Sequence, residues 1–257
     1  MGDLGGLVAN NIYKVMKQLE KVIWGVIGAG DVCEVKSVPG MYKTEHSEVK
    51  MIMRRNAEKA AGFARRHGIE HWTTDVDEIL NDPDINIIYI STPPDSHCEL
   101  TLKAAAAGKA VYVEKPMANT MEECQKMIEA CRNSGVPLFV AYYRRALPGF
   151  NKLREIIESG EIGKVRFVNI EMYRTPRPYD YNTEGNWRIQ PGISGGGYFH
   201  DMASHQLDYL DSVFGPVVKA TGIAVNQAGL YPADDMVSAS LLFESGVVGT
   251  GTWCFIT

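Results

Sequence analysis

The stretch AVYVEKPMANT, residues 110–120, sets Glu114 and Lys115 at the end of an apolar run and closes them with Pro116. Proline has no N–H and restrains the residue before it to extended geometry, so Lys115 is expected in a sharply defined turn. An ammonium held there can polarise an oxygen or move a proton. A second set lies in SGGGYFHDMASHQLDYL, residues 194–210, where Asp201 and His205 stand four residues apart. On a helix that spacing puts both on one face, with Gln206 and Asp208 turned away. A carboxylate beside an imidazole sets its tautomer and raises its basicity. The plain alternatives are packing or capping for the Asp–His pair and a simple ion pair with Glu114 for Lys115. With no HExxH pattern, and His200 off that face, no metal is expected.

The elements that must position these groups come in two styles. From residue 22, apolar runs (VIWGVIG, EVKMIM at 48–53, INIIYIS at 85–91, KAVYVE at 109–114, PLFVAYY at 137–143) alternate with helical patterns such as 57–67 and 99–107. Continuous apolar strands between helices predict an α/β, doubly wound parallel sheet covered on both faces. After Pro148 a helix (150–159) is followed by strand-like stretches at 164–174, 217–226, 235–243 and 247–256. Strands in succession predict an α+β domain with a mixed, mostly antiparallel sheet. The expected organisation is an extension at 1–20, a dinucleotide-binding domain at 21–145 and a substrate-binding and oligomerisation domain at 146–257, the boundary falling near 143–148.

Two features of the first domain predict its ligand. WGVIGAGDVC places Gly25, Gly28 and Gly30 directly after the first strand, with Cys33 where a GxGxxG pattern has its third glycine. Glycines there allow a tight turn and close approach of a pyrophosphate, which rests on the N–H groups opening the next helix, at Asp31 and Val32. About 20 residues on, NAD-selective folds carry an acidic residue for the ribose hydroxyls. This chain has Arg54 and Arg55 instead, a pair suited to a 2′-phosphate, so NADP is expected ahead of NAD. A solvated pair at a helix start is the alternative.

Composition narrows the classes. The chain has 257 residues, 45% of them hydrophobic, and a net charge of -5. That balance gives no basic stripe for nucleic acid. No run approaches the roughly 20 apolar residues of a membrane span, and the first 20 residues show no signal-peptide pattern. The five cysteines form no CxxC or metal-spaced cluster, which reads as reduced thiols in a cytoplasmic protein with small-molecule partners.

The order and spacing of GVIGAGDV, STPPDSH at 91–97, AGKAVYVEKP at 107–116 and GGGYFHDMASHQLD resemble the Gfo/Idh/MocA oxidoreductases, the glucose-fructose oxidoreductase and inositol dehydrogenase family. The resemblance runs from Lys21 to nearly the end of the chain. It implies a Rossmann domain followed by a mixed-sheet domain, with the active site in the cleft between them. It implies that Thr92, Pro93 and His97 line the cofactor, that Glu114 and Lys115 lie near the nicotinamide, and that the Lys115–Pro116 bond is cis. It further implies that Asp201 and His205 approach from the second domain.

Hydride transfer between an alcohol carbon and a nicotinamide needs a group that moves the hydroxyl proton and one that stabilises the developing alkoxide. His205 is expected as acid/base, oriented by Asp201, and Lys115 as the polarising group, although the sequence leaves open which of the two holds the mobile proton. The loop RTPRPYDYNTEGNWRIQPGISGG, with Trp187 and Arg188, joins Tyr142, Arg144 and Arg145 as candidate contacts for a polyol or a carboxylated sugar. The function expected is thus NADP(H)-dependent oxidation or reduction of a sugar-like or alicyclic polyol or ketone. A glycosidase with a retained cofactor and a non-catalytic ligand sensor on the same fold are the alternatives. Family members usually run longer than this chain, which stops at Thr257 within a strand-like run. A shortened second sheet with an open edge is therefore expected, covered in a homo-oligomer.

Overall fold

The computed structural model describes residues 20–181 and 185–257. The expected extension at 1–20 thus lies, but for Glu20, outside the described residues, as do residues 182–184 of the candidate substrate loop. The chain divides into two compact units, Met1–Ala141 and Tyr142–Thr257.

The first unit is built on six strands: β1 (Val22–Ile27), β2 (Ser47–Met53), β3 (His71–Thr73), β4 (Ile87–Ile90), β5 (Ala110–Val113) and β6 (Leu138–Val140). They pair in the order β3-β2-β1-β4-β5-β6, every pair parallel. The helices are α1 (a π-turn Cys33–Ser37 running into Val38–Lys43), α2 (Ala57–His67), α3 (Val76–Asn81), α4 (His97–Ala106) and α5 (Met121–Asn133). Side chains alternate across a strand, so Ile88 and Ile90 enter a core with Ile79, Ala104 and Met127, while Tyr89 enters the opposite core with Val38, Phe63 and Ile52. All nine are fully buried. Sealing each isoleucine contributes about 1.5–3 kcal/mol. The continuous apolar runs of the sequence are the direct record of this two-sided burial.

Local signals set the helix limits. Thr120 and Glu123 form a reciprocal capping box at the start of α5, and Asn56 caps α2 by accepting the Lys59 N–H at 2.9 Å. Gly68 ends α2 with φ 64°, a left-handed stop that glycine adopts at no steric cost. The periodicity did not anticipate β3 or α3: three and six residues are too few for a repeat to show, and only the Asp75 cap marks the spot.

The second unit holds α6 (Pro148–Ser159), β7 (Phe167–Tyr173), α7 (Pro191–Ser194), α8 (Gly197–Phe214), β8 (Val217–Val225), β9 (Met236–Phe243) and β10 (Val248–Cys254). Its sheet runs β7-β10-β9-β8, with β7 parallel to β10 and the other pairs antiparallel. The mixed sheet is as expected from the sequence. α8 lies against one face, where Trp253, wholly buried, donates its indole N–H to Gln206 Oε1 at 2.7 Å and meets Phe199 edge-on. Phe167, Ile223 and Val248 are exposed. Among the described residues no helix is long and apolar enough to cross a membrane.

Candidate active site

The strand order of the first unit reverses between β1 and β4, and in open parallel sheets ligands bind outside the carboxyl ends of the strands at that point. β1 ends at Ile27 and the chain turns through Gly28 and Gly30 into α1. Gly28 has φ 86°, and a Cβ there would stand 2.6 Å from Thr92 Cγ2 and 2.8 Å from the Thr92 nitrogen. Only glycine fits. Ser91 seals the loop to β4: its hydroxyl donates toward Gly28 O at 3.0 Å, and its N–H donates to Ile27 O at 2.9 Å. Gly25 has a different task, since a Cβ there would strike Ile79 at 2.8 Å inside the core.

Gly30 differs from both. A Cβ at Gly30 would meet nothing nearer than Gly28 O at 3.6 Å, and its φ lies outside the left-handed region. Neither packing nor backbone strain demands glycine there, and the bare backbone leaves room for a ligand to approach closely. Asp31, exposed, and Val32, half-buried, follow and open α1, whose first N–H groups have no acceptor within the helix. The loop therefore fits a dinucleotide pyrophosphate. Cys33 is wholly buried, with Sγ 3.0 Å from Ser91 Oγ. Burial pushes its thiol up to about 11, against a smaller downward pull from the Arg54 charge. The cysteine is thus an inert packing group, and Arg54 is close enough to the glycine loop to be felt there.

Arg54 and Arg55 stand between β2 and the Asn56 cap, Arg54 half-buried and Arg55 exposed. Among the described residues neither guanidinium has an ion-pair or hydrogen-bond partner. By contrast Arg66, a turn and more into α2, is spent on a two-bond contact with Glu34, Nε to Oε1 at 2.7 Å and Nη2 to Oε2 at 2.8 Å.

At the end of β4, Thr92 Oγ1 accepts the Ser96 hydroxyl at 2.7 Å, and Thr92 and Pro93 are half-buried. At the end of β5, the Tyr89 hydroxyl donates to Glu114 Oε1 at 2.6 Å while Glu114 Oε2 accepts the Lys115 N–H at 3.2 Å. Burial, then the Glu114 charge, pushes the Tyr89 phenol far above its usual value, so it remains a donor. Glu114 thus braces the turn in which Lys115 stands, and the Lys115–Pro116 peptide is cis. Ser91 and Tyr89 were not singled out from the sequence; a lone serine and a lone tyrosine in the run INIIYIS carry no spacing signal.

His97 is completely buried, with Nε2 2.8 Å from Thr92 O and Nδ1 3.0 Å from Pro116 O. Each ring nitrogen thus faces a carbonyl of the chain's own backbone.

In the second unit, α8 opens at Gly197, where φ is 67° and a Cβ would stand 2.5 Å from that of Ala233. Ser194 Oγ accepts the Gly197 N–H at 3.0 Å and Ser194 O accepts from His200 Nδ1 at 2.9 Å, which commits His200 to the helix entry. Asp201 and His205 follow, one helical turn apart as the spacing required. Asp201 accepts from Arg188 Nε at 3.3 Å, and the Arg188 guanidinium lies 4.5 Å above the Trp187 ring. His205 is buried, met edge-on by Tyr142 at 6.0 Å and Tyr143 at 5.0 Å. The guanidinium of Arg144 sits over Phe150 at 5.8 Å. Arg145 is paired with Asp208, its Nε 2.8 Å from Oδ2.

One buried carboxylate holds the loop that carries Trp187 and Arg188. Asp180, 1% exposed, accepts the Arg177 N–H at 2.8 Å, Asn186 Nδ2 at 3.0 Å and the Tyr198 hydroxyl. Arg174 stands 3.7 Å from it and stacks on the Tyr198 ring at 4.3 Å. Asn186 Oδ1 in turn accepts the Arg188 N–H at 3.3 Å. Among the described residues no group of three or more His, Cys, Asp or Glu side chains is placed to hold a metal.

Comparison with known proteins agrees with this picture. Residues 22–142 match the model of the oxidoreductase family with an NAD-binding Rossmann fold, and residues 150–257 match that of the GFO/IDH/MocA C-terminal domain. The chain is 43% identical over 238 residues to oxidoreductase P35 of Formosa agariphila, covering 91% of this chain and 73% of that one. It is 32% identical over 230 residues to 1,5-anhydro-D-fructose reductase of Ensifer adhaerens, covering 88% and 67%. Levoglucosan dehydrogenase, solved with NADH and levoglucosan, superposes with a TM-score of 0.80 at 29% identity over 91% of this chain and 67% of that one. The chain thus spans about two thirds to three quarters of these relatives' length. With both family models matched in order, and with a glycine loop shaped for a dinucleotide, the chain belongs to the Gfo/Idh/MocA family of NAD(P)-dependent oxidoreductases.

Proposed function

We propose that this protein transfers hydride between NADP(H) and a sugar-like or alicyclic polyol or ketone. The observation that carries the proposal is the convergence of three turns at the carboxyl ends of β1, β4 and β5: the Gly28–Gly30 loop, the Thr92 turn and the Lys115 turn. A bound nicotinamide supplies the hydride acceptor or donor. The chain's own groups do the rest: Gly30 and the start of α1 seat the pyrophosphate, Lys115 polarises the reacting oxygen, and His205 takes or returns the hydroxyl proton. Asp201 and Arg188 act beside His205, and Trp187, Tyr142 and Arg144 contribute to substrate binding. The sugar-like class is supported by relatives that act on 1,5-anhydro-D-fructose and bind levoglucosan.

Preference for NADP rests on Arg54 and Arg55, which offer two unengaged guanidiniums where an NAD-selective fold has a carboxylate. NAD is the second reading, favoured by the NADH in the levoglucosan dehydrogenase structure. Titration of the protein with NADPH and with NADH, followed by nicotinamide fluorescence, separates them. Tenfold tighter NADPH, about 1.4 kcal/mol, supports the arginine assignment; equal affinities refute it. Nucleotide already bound in the purified protein and not exchanging would favour the retained-cofactor glycosidase. Open screening of levoglucosan and 1,5-anhydro-D-fructose then tests the substrate class.

A further inference from the structure

We propose that His97 is the positioning residue of the Lys115 turn: a single sealed imidazole clips the turn after β4 to the turn after β5 and thereby sets where Lys115 stands. The inference rests on the reading of Lys115 as an acting group.

The parts are all local to the first unit. His97 is the first residue of α4, reached from β4 through the short turn Pro94–Ser96. One ring nitrogen, Nε2, is 2.8 Å from Thr92 O, which belongs to the turn bordering the glycine loop. The other, Nδ1, is 3.0 Å from Pro116 O and 3.3 Å from Met117 O, the two residues that follow Lys115. The strand ladder carries the link between β4 and β5 as far as the Glu114 N–H on Ile90 O, at 2.8 Å. Beyond Glu114 the imidazole continues it, from the other side of Lys115. Lys115 is thus bracketed: Glu114 is held by Tyr89, and Pro116 is held by His97.

The alternatives for a buried histidine do not fit this one. With no exposed surface it cannot exchange protons with a substrate, and a carbonyl oxygen 3.0 Å or less from each nitrogen leaves no room for a metal ion. Simple filling of the core is a weaker fit, since the ring's one N–H donates to one of the two facing carbonyls, Thr92 O or Pro116 O, and an apolar side chain of the same volume would take that donor away. The ring is rigid and spans the distance between two backbones that share no neighbouring residues. A rigid bridge transmits position as well as stability.

The test reads the place of Lys115 directly, so that it does not depend on turnover. Lysines of the full chain are reductively methylated with a carbon-13 label, and the Lys115 signal is assigned by its disappearance in Lys115→Arg. It is then followed in His97→Gln, which keeps an N–H donor, and in His97→Leu, which keeps none. Both variants are checked for folding by urea unfolding. We expect the Lys115 signal to move in the folded variants while the other lysine signals stay, with His97→Gln intermediate, and the dissociation constant of NADPH to rise at least threefold. If His97→Leu does not fold, His97→Gln alone carries the comparison. An unmoved Lys115 signal in a folded variant, with only the urea midpoint lowered, overturns the proposal and makes His97 a stability residue. A moved signal together with full turnover in Lys115→Ala would uphold the positioning and refute the role assigned to Lys115, so the two failures are distinct.

Discussion

Gly28 and Gly30 are two residues apart in one loop, yet substitution by alanine should act on different properties. At Gly28 an alanine must adopt φ 86°, at about 1–2 kcal/mol for a left-handed L-residue. Its Cβ also lands 2.6 Å from Thr92 Cγ2 and 2.8 Å from the Thr92 backbone, so the turn after β4 must shift, an overpacking cost of about 1–3 kcal/mol. The sum is about 2–5 kcal/mol, which at roughly 2–4 °C per kcal/mol lowers the melting temperature by about 4–20 °C. At Gly30 the added methyl meets only Gly28 O at 3.6 Å, and the lost chain entropy of glycine even favours the variant by about 0.4–1 kcal/mol. The methyl nevertheless occupies the space the pyrophosphate needs, so NADPH affinity should fall tenfold or more, about 1.4 kcal/mol. Urea unfolding and nicotinamide fluorescence on Gly28→Ala and Gly30→Ala measure both quantities. The cradle reasoning is wrong if Gly30→Ala binds NADPH like the parent, or if it loses as much stability as Gly28→Ala.

Four other outcomes follow from the geometry. Removing both guanidiniums with Arg54→Ala and Arg55→Ala should weaken NADPH tenfold or more and leave NADH within about threefold, measured in the same titration. Lys115→Ala and His205→Ala should each lower turnover by about 10²–10⁴, and normal turnover in both would end the assignment of these residues. Asp180→Ala removes the buried carboxylate shared by Asn186, Tyr198 and the half-buried Arg174 and should cost about 3–5 kcal/mol in urea unfolding, with the Arg188 loop loosened. Finally, the Arg66 guanidinium holds the Glu34 carboxyl down at about 2, from an ordinary 4.5. Its folded value is the depressed one, so the pair's contribution is present above pH 4.5 and lost as pH falls toward 2. Being near the surface, the pair is well screened by solvent and its contribution is small. The stability gap between the parent and Glu34→Gln should therefore shrink between those pH values, and a gap that holds constant would contradict the pairing.

The Arg188–Asp201 contact bears on the role proposed for the second constellation. Asp201 was expected to serve His205, and it also receives Arg188 at 3.3 Å. A guanidinium partly compensated by a carboxylate, and stacked on Trp187, presents hydrogen-bond donors more than net charge. That character suits the hydroxyl groups of a neutral polyol, which agrees with the class proposed.

Much of this protein is legible without coordinates because its signals are local. The alternation of apolar runs with helical repeats reflects a parallel sheet buried on both faces, and the sheet order β3-β2-β1-β4-β5-β6 realises it. The four-residue spacing of Asp201 and His205 needs only a helix to be meaningful, and α8 provides it. Gly28 and the Lys115–Pro116 turn were visible for the same reason: the conformation each requires is written in its own residue type. What stayed hidden is contact between turns far apart in the chain. Ser91 reaches Gly28 across 63 residues, His97 reaches Pro116 across 19, and Tyr89 reaches Glu114 across 25. Those meetings depend on which strands are neighbours, and strand order is settled by the collective burial of the sheet's two faces. A histidine that the family resemblance set along the cofactor meets, once β4 and β5 lie side by side, the backbone of both turns. Residue type and spacing determined what chemistry the chain carries; only tertiary packing decided which polar groups face a ligand and which are consumed in holding the others in place.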